Sequence, residues 1–193
     1  DNDTDFMLNG SITSTATGAQ TLDIRTGYNG NGDRESVTFI SGIPNVGDGS
    51  PLSLNVTFRC QTGSQSWLNL SAVNTFTGPI TLVAGSGPAT GYLTIGGKLT
   101  RYNGNTSGSG TLNSGNYAGN IALGTATILN YASSAPQTLS GVISGVGAVQ
   151  VTGSGALTLS GTNTYTGNTT INSGGTLTNS GGLKFVVTDA ANN

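Results

Sequence analysis

Six charged side chains near the start of the chain are the ones whose types could do acid–base chemistry together: Asp23, Asp33, Glu35 and Asp48, with Arg25 and Arg34. Cleaving a polysaccharide would need two of these carboxylates, or a basic residue beside carboxylates, across one groove. The run Asp33-Arg34-Glu35 reads more simply as a turn whose charges face water. The chain has no His, so it lacks the usual neutral-pH base and a common metal ligand. Serines are plentiful, but a Ser–His triad is impossible without an imidazole. The expectation is no catalytic residue and no enzymatic activity.

Asp1-Asn2-Asp3-Thr4-Asp5 resembles the opening of a calcium loop. An EF-hand loop needs Gly at its sixth position and Glu at its twelfth; this chain has Phe6 and Ile12 there. A looser calcium site near Asp1–Asp5 stays open, with a solvated acidic terminus as the simpler reading. No other metal and no cofactor is expected. Cys60 is the single cysteine, which rules out an intrachain disulfide framework. In the strand-like run N-V-T-F-R-C it reads as a small buried hydrophobe.

Charge is confined. Ten of the charged residues precede position 60, and no charged residue occurs from Tyr102 to Leu183. Nucleic-acid binding needs clustered Lys or Arg, so that class is excluded. No apolar run approaches the roughly 20 residues that span a bilayer. The chain begins with Asp1 rather than Met, as a processed start would, which permits secretion.

These side chains must be held by strands. With 32 glycines and 7% charged residues, the chain shows no sustained helical periodicity. Short apolar-x-apolar runs recur instead: Leu22–Ile24, Val37–Ile40, Leu52–Phe58, Trp67–Leu70, Ile80–Val83, Tyr92–Ile95, Ile121–Leu123, Ala126–Leu129, Ala148–Val151, Ala156–Leu159, Thr169–Ile171 and Leu183–Val187. Gly-rich turns separate them. Trp67–Gly85 and Ala156–Gly174 align without a gap, each reading L-x-L-S, then N-T-[FY]-T-G, then a second strand. Such self-similarity marks a repeat architecture.

An antiparallel sandwich and a parallel β-helix both fit short strands. The very short runs favour the β-helix (β-solenoid), with Leu157 and Leu159 inward and Thr158 and Ser160 outward. An aromatic turn, [FY]-x-G, recurs at Tyr28, Phe76, Tyr102, Tyr117 and Tyr165. Its two 48-residue gaps, from Tyr28 to Phe76 and from Tyr117 to Tyr165, suit pairs of coils of about 24 residues, within the range of known solenoids. The repeat-turn residues singled out are Asn74, Phe76, Gly78, Tyr117, Gly119, Asn163, Tyr165 and Gly167. Residues 1–60 read as an atypical N-terminal cap or divergent start, 61–182 as repeats, and 183–193 as a C-terminal strand and tail. Leu183, Phe185, Val186 and Val187 belong to the most β-prone run and are candidates for an intersubunit strand that joins chains head to tail into a homo-oligomer or filament.

The segment Gln137–Gly181 resembles the autotransporter-associated β-strand repeat, also called the passenger-associated repeat. The match runs from Gly153 to Leu177: G-S-G-A-L-T-L-S-G, then N-T-Y-T-G, then T-T-I-N-S-G-G-T-L. Tyr117–Leu139 is similar to the lead-in of such repeats, and Trp67–Val83 is a weaker copy with Trp67 in place of a small residue. The resemblance implies a right-handed parallel β-helix outside a bacterial cell, structural and secretion-assisting, with no catalytic residues to carry over. It argues against glycan attachment at the N-x-[ST] sites Asn2, Asn9, Asn55, Asn69, Asn105 and Asn168. Members usually end in a membrane barrel, so the chain is either part of a passenger, perhaps of an adhesin, or a free-standing extracellular protein. The alternative is a β-helix that binds or cleaves a surface polysaccharide.

Overall fold

A computed structural model of the chain describes residues 4–8, 12, 14–26, 35–39, 42–59, 65–85, 90–100, 104–172 and 174–181. Three parallel sheets carry the fold. Sheet I contains β1 (Thr4–Leu8), β3 (Glu35–Phe39), β5 (Gln65–Leu70), β8 (Thr90–Ile95), β14 (Thr127–Tyr131), β17 (Ala148–Val151) and β19 (Thr169–Ile171). Sheet II contains β2 (Gln20–Thr26), β4 (Leu52–Phe58), β7 (Ile80–Ala84), β13 (Ile121–Leu123) and β16 (Ile143–Gly145). Sheet III contains β12 (Asn116–Tyr117), β15 (Gln137–Leu139), β18 (Ala156–Leu159) and β20 (Thr176–Asn179). A short parallel pair, β6 (Val73–Asn74) with β11 (Thr111–Leu112), lies beside them.

From β12 onward the chain visits the sheets in strict rotation, III, II, I, then III again. Each circuit lays its strands parallel to those of the circuit before. Parallel strands cannot be joined by tight hairpins, and here each connection passes through another face. The antiparallel sandwich is therefore excluded.

Register explains the core. In sheet I, Leu68, Leu93, Leu129 and Val149 form one inward column, ending at Thr169. In sheet II, Leu54, Ile80, Ile121 and Ile143 form another. In sheet III, Tyr117 and Leu139 stack under Leu159. All of these Leu, Ile, Val and Tyr side chains are buried in one cluster. The alternation is the period of a strand with one wet face: β4 reads buried, half-buried, buried along its length. Leu157 and Leu159 are fully buried, whereas Thr158 is half-buried and Ser160 exposed.

The circuit length corrects the expectation of about 24 residues. Thr138, Thr158 and Thr178 share one register, and so do Leu129, Val149 and Thr169. Each step is 20 residues. Leu68 to Leu93 takes 25, and Leu93 to Leu129 takes 36. The extra length in that last circuit holds a hairpin, β9 (Gly97–Thr100) with β10 (Gly104–Ser107), antiparallel within an otherwise parallel fold. Its strand β9 rests against β3 and β5. Outward-facing Asn69, Thr94 and Asn130 on sheet I are nonetheless buried.

A second correction concerns the 89-residue self-similarity. Trp67–Leu70 lies in sheet I, but Ala156–Leu159 lies in sheet III. The inward parity of the leucines is kept while the face changes. The proposed strand at Ala126 also begins one residue late, because Ala126 adopts φ +54°, a left-handed turn conformation that strands do not use. Among the described residues no helix is long and apolar enough to cross a membrane, which says nothing of membrane barrels. Leu183, Phe185, Val186 and Val187 lie outside the described residues.

Candidate functional site

The charged residues are not gathered into a groove. Asp23 projects from exposed β2, where its Oδ1 accepts from Asn55 Nδ2 at 2.9 Å. Asp48 accepts the backbone N–H groups of Gly18 (2.7 Å) and Ser50 (2.9 Å). These bonds hold its carboxyl below the usual carboxylate range, the Gly18 bond most strongly. Asp48 thus ties loop 14–18 to loop 46–50. Arg25 is exposed on β2, and Glu35 opens β3. Asp33, Arg34, Asp1, Asp3 and Cys60 lie outside the described residues. Among the described residues no group of three or more Cys, Asp or Glu is placed to hold a metal.

The repeated turn is where polar chemistry concentrates. Asn163 follows β18 and settles over Ile143 of β16, twenty residues back. Its Oδ1 accepts the Ile143 N–H at 2.8 Å, while the N–H groups of Thr164 and Tyr165 donate to the Ile143 carbonyl at 2.8 and 3.2 Å. Asn74 repeats this geometry on Ile43. Its Oδ1 accepts the Ile43 N–H at 3.0 Å, and Thr75 and Phe76 donate to the Ile43 carbonyl at 2.9 and 3.2 Å. Asn74 Nδ2 then donates to the Ala72 and Thr111 carbonyls, the second in the following circuit. One asparagine therefore clamps three successive layers. Each of these amides is buried, so each hydrogen bond replaces one that water would have made.

Gln137, which sequence reasoning missed, does the same work with one more methylene. Its Oε1 accepts the Leu112 N–H at 2.8 Å and its Nε2 donates to the Leu112 carbonyl at 3.2 Å. The aromatic residue of each turn plugs the interior. Phe76 meets Tyr117 edge-on, with ring centroids 5.8 Å apart, a favourable arrangement of ring quadrupoles. The Tyr117 hydroxyl donates to the Gly78 carbonyl of the preceding circuit. The Tyr165 and Thr169 hydroxyls share a 2.6 Å bond. Burial pushes the hydroxyl pKa of Tyr117, Tyr131 and Tyr165 upward.

Glycines complete the turn by close approach. A Cβ on Gly141, Gly161 or Gly181 would strike the carbonyl oxygen of Gly119, Gly141 or Gly161 respectively. Gly167 meets Gly147 in the same way, and Gly78 lies against the Leu52 backbone. Only glycine lets backbones meet at that distance. The column was present in the sequence as T-L-S-G at 138–141 and 158–161, then T-N-S-G at 178–181.

Residues 150–178 match the family model described as Passenger-associated-transport-repeat. The match starts inside β17, takes in β18, the Asn163–Tyr165 turn and β19, and stops within β20. At 29 residues (150 to 178) the passenger-associated repeat is close to one and a half circuits of 20. Its polar groups of known partner are spent on neighbouring circuits. No curated protein and no solved structure matches this chain.

The surface offers two other features. Trp67 and Tyr92 stack on the outer side of sheet I, centroids 5.4 Å apart and planes 14° apart. Trp67 is only 8% exposed, so its ring is not presented to a ligand. A shallow groove crosses successive circuits where sheet II turns into sheet I, lined by Thr90, Ala126, Ile128, Val146, Ala148 and Asn168 among others, without a carboxylate or an aromatic ring.

Proposed function

We propose that this chain is a structural segment of a bacterial extracellular or cell-surface protein, a right-handed parallel β-helix whose product is its own rigid length. The observation that carries this reading is the Asn163–Tyr165 turn within the passenger-associated repeat: its hydrogen bonds run to Ile143 of the circuit below rather than outward. Right-handedness is favoured because parallel crossover connections take that hand almost without exception. Residues 1–60 serve as a divergent start, 61–182 as the repeating body, and 183–193 as the following strand and tail. No enzymatic activity, cofactor or metal is assigned.

Surface location follows from the repeat, which belongs with passengers that cross the outer membrane, and from a body almost free of charge. End-to-end joining of chains into filaments is the finer part of the proposal. It is supported by the unpaired outer edges of β19 and β20 among the described strands. A polysaccharide-binding role is the weaker reading, since the one long groove lacks aromatic platforms and carboxylates.

The test is protease shaving of intact source cells followed by peptide identification. Release of peptides from 104–181 without cell lysis is expected. Recovery only after lysis would overturn the surface assignment. Sedimentation of the purified chain tests the filament: a monomer at all concentrations removes it. Binding to one defined polysaccharide, abolished by a change in the groove, would favour the weaker reading.

A further inference from the structure

The two clamping asparagines differ in one respect. Asn74 uses both ends of its amide, Oδ1 on the circuit below and Nδ2 on Thr111 in the circuit above. Asn163 uses Oδ1 on Ile143, but its Nδ2 is buried without a hydrogen-bond partner. The residue is 8% exposed. A buried donor left unmatched is costly, and this one points to the outer side of the last described circuit.

The register says what should lie there. Gly141, Gly161 and Gly181 form one column at steps of 20. Ile143 follows the first by two residues and Asn163 follows the second by two. Leu183 follows the third in the same way. The run Leu183-Lys184-Phe185 then carries apolar side chains at the inward positions held by Asn163 and Tyr165. Lys184 falls at the outward position of Thr164, which is exposed.

We propose that Asn163 is the docking point for one more strand of sheet II, and that its occupant is this chain's own Leu183–Phe185 segment. The Gly182 carbonyl receives Asn163 Nδ2 as the Thr111 carbonyl receives Asn74 Nδ2. The assignment differs from an intersubunit role for the same run. It rests on the ladder register and not on where the protein is located, so shaving of intact cells and the test below can fail independently.

The experiment uses the full chain with Cys60→Ser. Thr164→Cys with Lys184→Cys is treated with a thiol-bridging reagent about 5 Å long, the spacing of neighbouring strands. Ser144→Cys with Thr164→Cys, one circuit lower, serves as the positive control. A bridge within one chain, at a yield close to that of the control, is expected. A bridge between two chains, or none while the control forms, overturns the proposal. Asn163→Asp keeps the acceptor for the Ile143 N–H and removes the donor. Hydrogen exchange of amides 183–187 should quicken by about tenfold or more, with Ile143 unchanged; equal exchange in both proteins contradicts the role of the Asn163 donor.

Discussion

Asn163 holds the backbone N–H of Ile143, twenty residues earlier in the chain, in a buried 2.8 Å hydrogen bond. The relationship measures the circuit: one amide reaches from a turn to the strand directly beneath it. Asn163→Ala should leave the Ile143 N–H buried and unmatched, costing about 1–3 kcal/mol. Asn74→Ala should cost more, because Asn74 is fully buried and bonds both neighbouring circuits. Thermal or urea unfolding of the two variants gives the order.

Glycine substitutions should separate close approach from backbone conformation. Gly161→Ala drives a methyl group into the Gly141 carbonyl and should destabilise by about 1–3 kcal/mol through forced backbone shifts. Gly49 has φ +84° with open space around it, so Gly49→Ala should cost about 1 kcal/mol, from conformation alone. Equal losses at the two sites would show that the glycine column is not tightly stacked.

Stability should fall at high pH. The folded-state pKa values of Tyr117, Tyr131 and Tyr165 are raised by burial. The protonated phenols therefore favour the fold fully below the unfolded tyrosine pKa of about 10, and that contribution is lost as pH rises above it. A urea midpoint that drops between about pH 10 and 12, less steeply in Tyr117→Phe, is the expected result.

The acid side has the opposite sign. Asp48 has a lowered folded-state pKa, so its contribution is present above the unfolded value of about 3.9 and fades as pH falls through the folded one. Amide exchange at Gly18 and Ser50 should quicken in that acid window. Asp48→Asn should abolish the pH dependence there.

Much of this was legible in the sequence, and the misses have physical causes. Strands Leu52–Phe58, Ile121–Leu123, Ala148–Val151, Ala156–Leu159 and Thr169–Ile171 were read with their observed bounds, because alternation of Leu, Ile and Val with Thr, Ser and Asn is strong there. β15 and β16 are three residues each, too short for alternation to register. The period was misjudged from the aromatic turns, since Phe76, Tyr117 and Tyr165 do not occupy one column. The glycine spacing 141, 161, 181 carried the true step. The clamping role of Asn74 and Asn163 could not be read from residue type, because Asn in a turn usually bonds its own backbone. The β9–β10 hairpin left no signal beyond the long gap between Tyr92 and Ile121.

The measurement that bears most directly on a body of stacked, interchangeable circuits is unfolding of internal deletions. In a fold whose stability sums over neighbouring repeats, removing one whole repeat costs only that repeat's share. Deleting residues 141–160 joins Ser140 to Gly161, keeps the 20-residue register and should preserve the β spectrum and a cooperative melt. Deleting residues 141–150 moves every later strand to the wrong face and should abolish the cooperative melt. Loss of cooperative folding in the 20-residue deletion, or equal tolerance of both, would contradict the account.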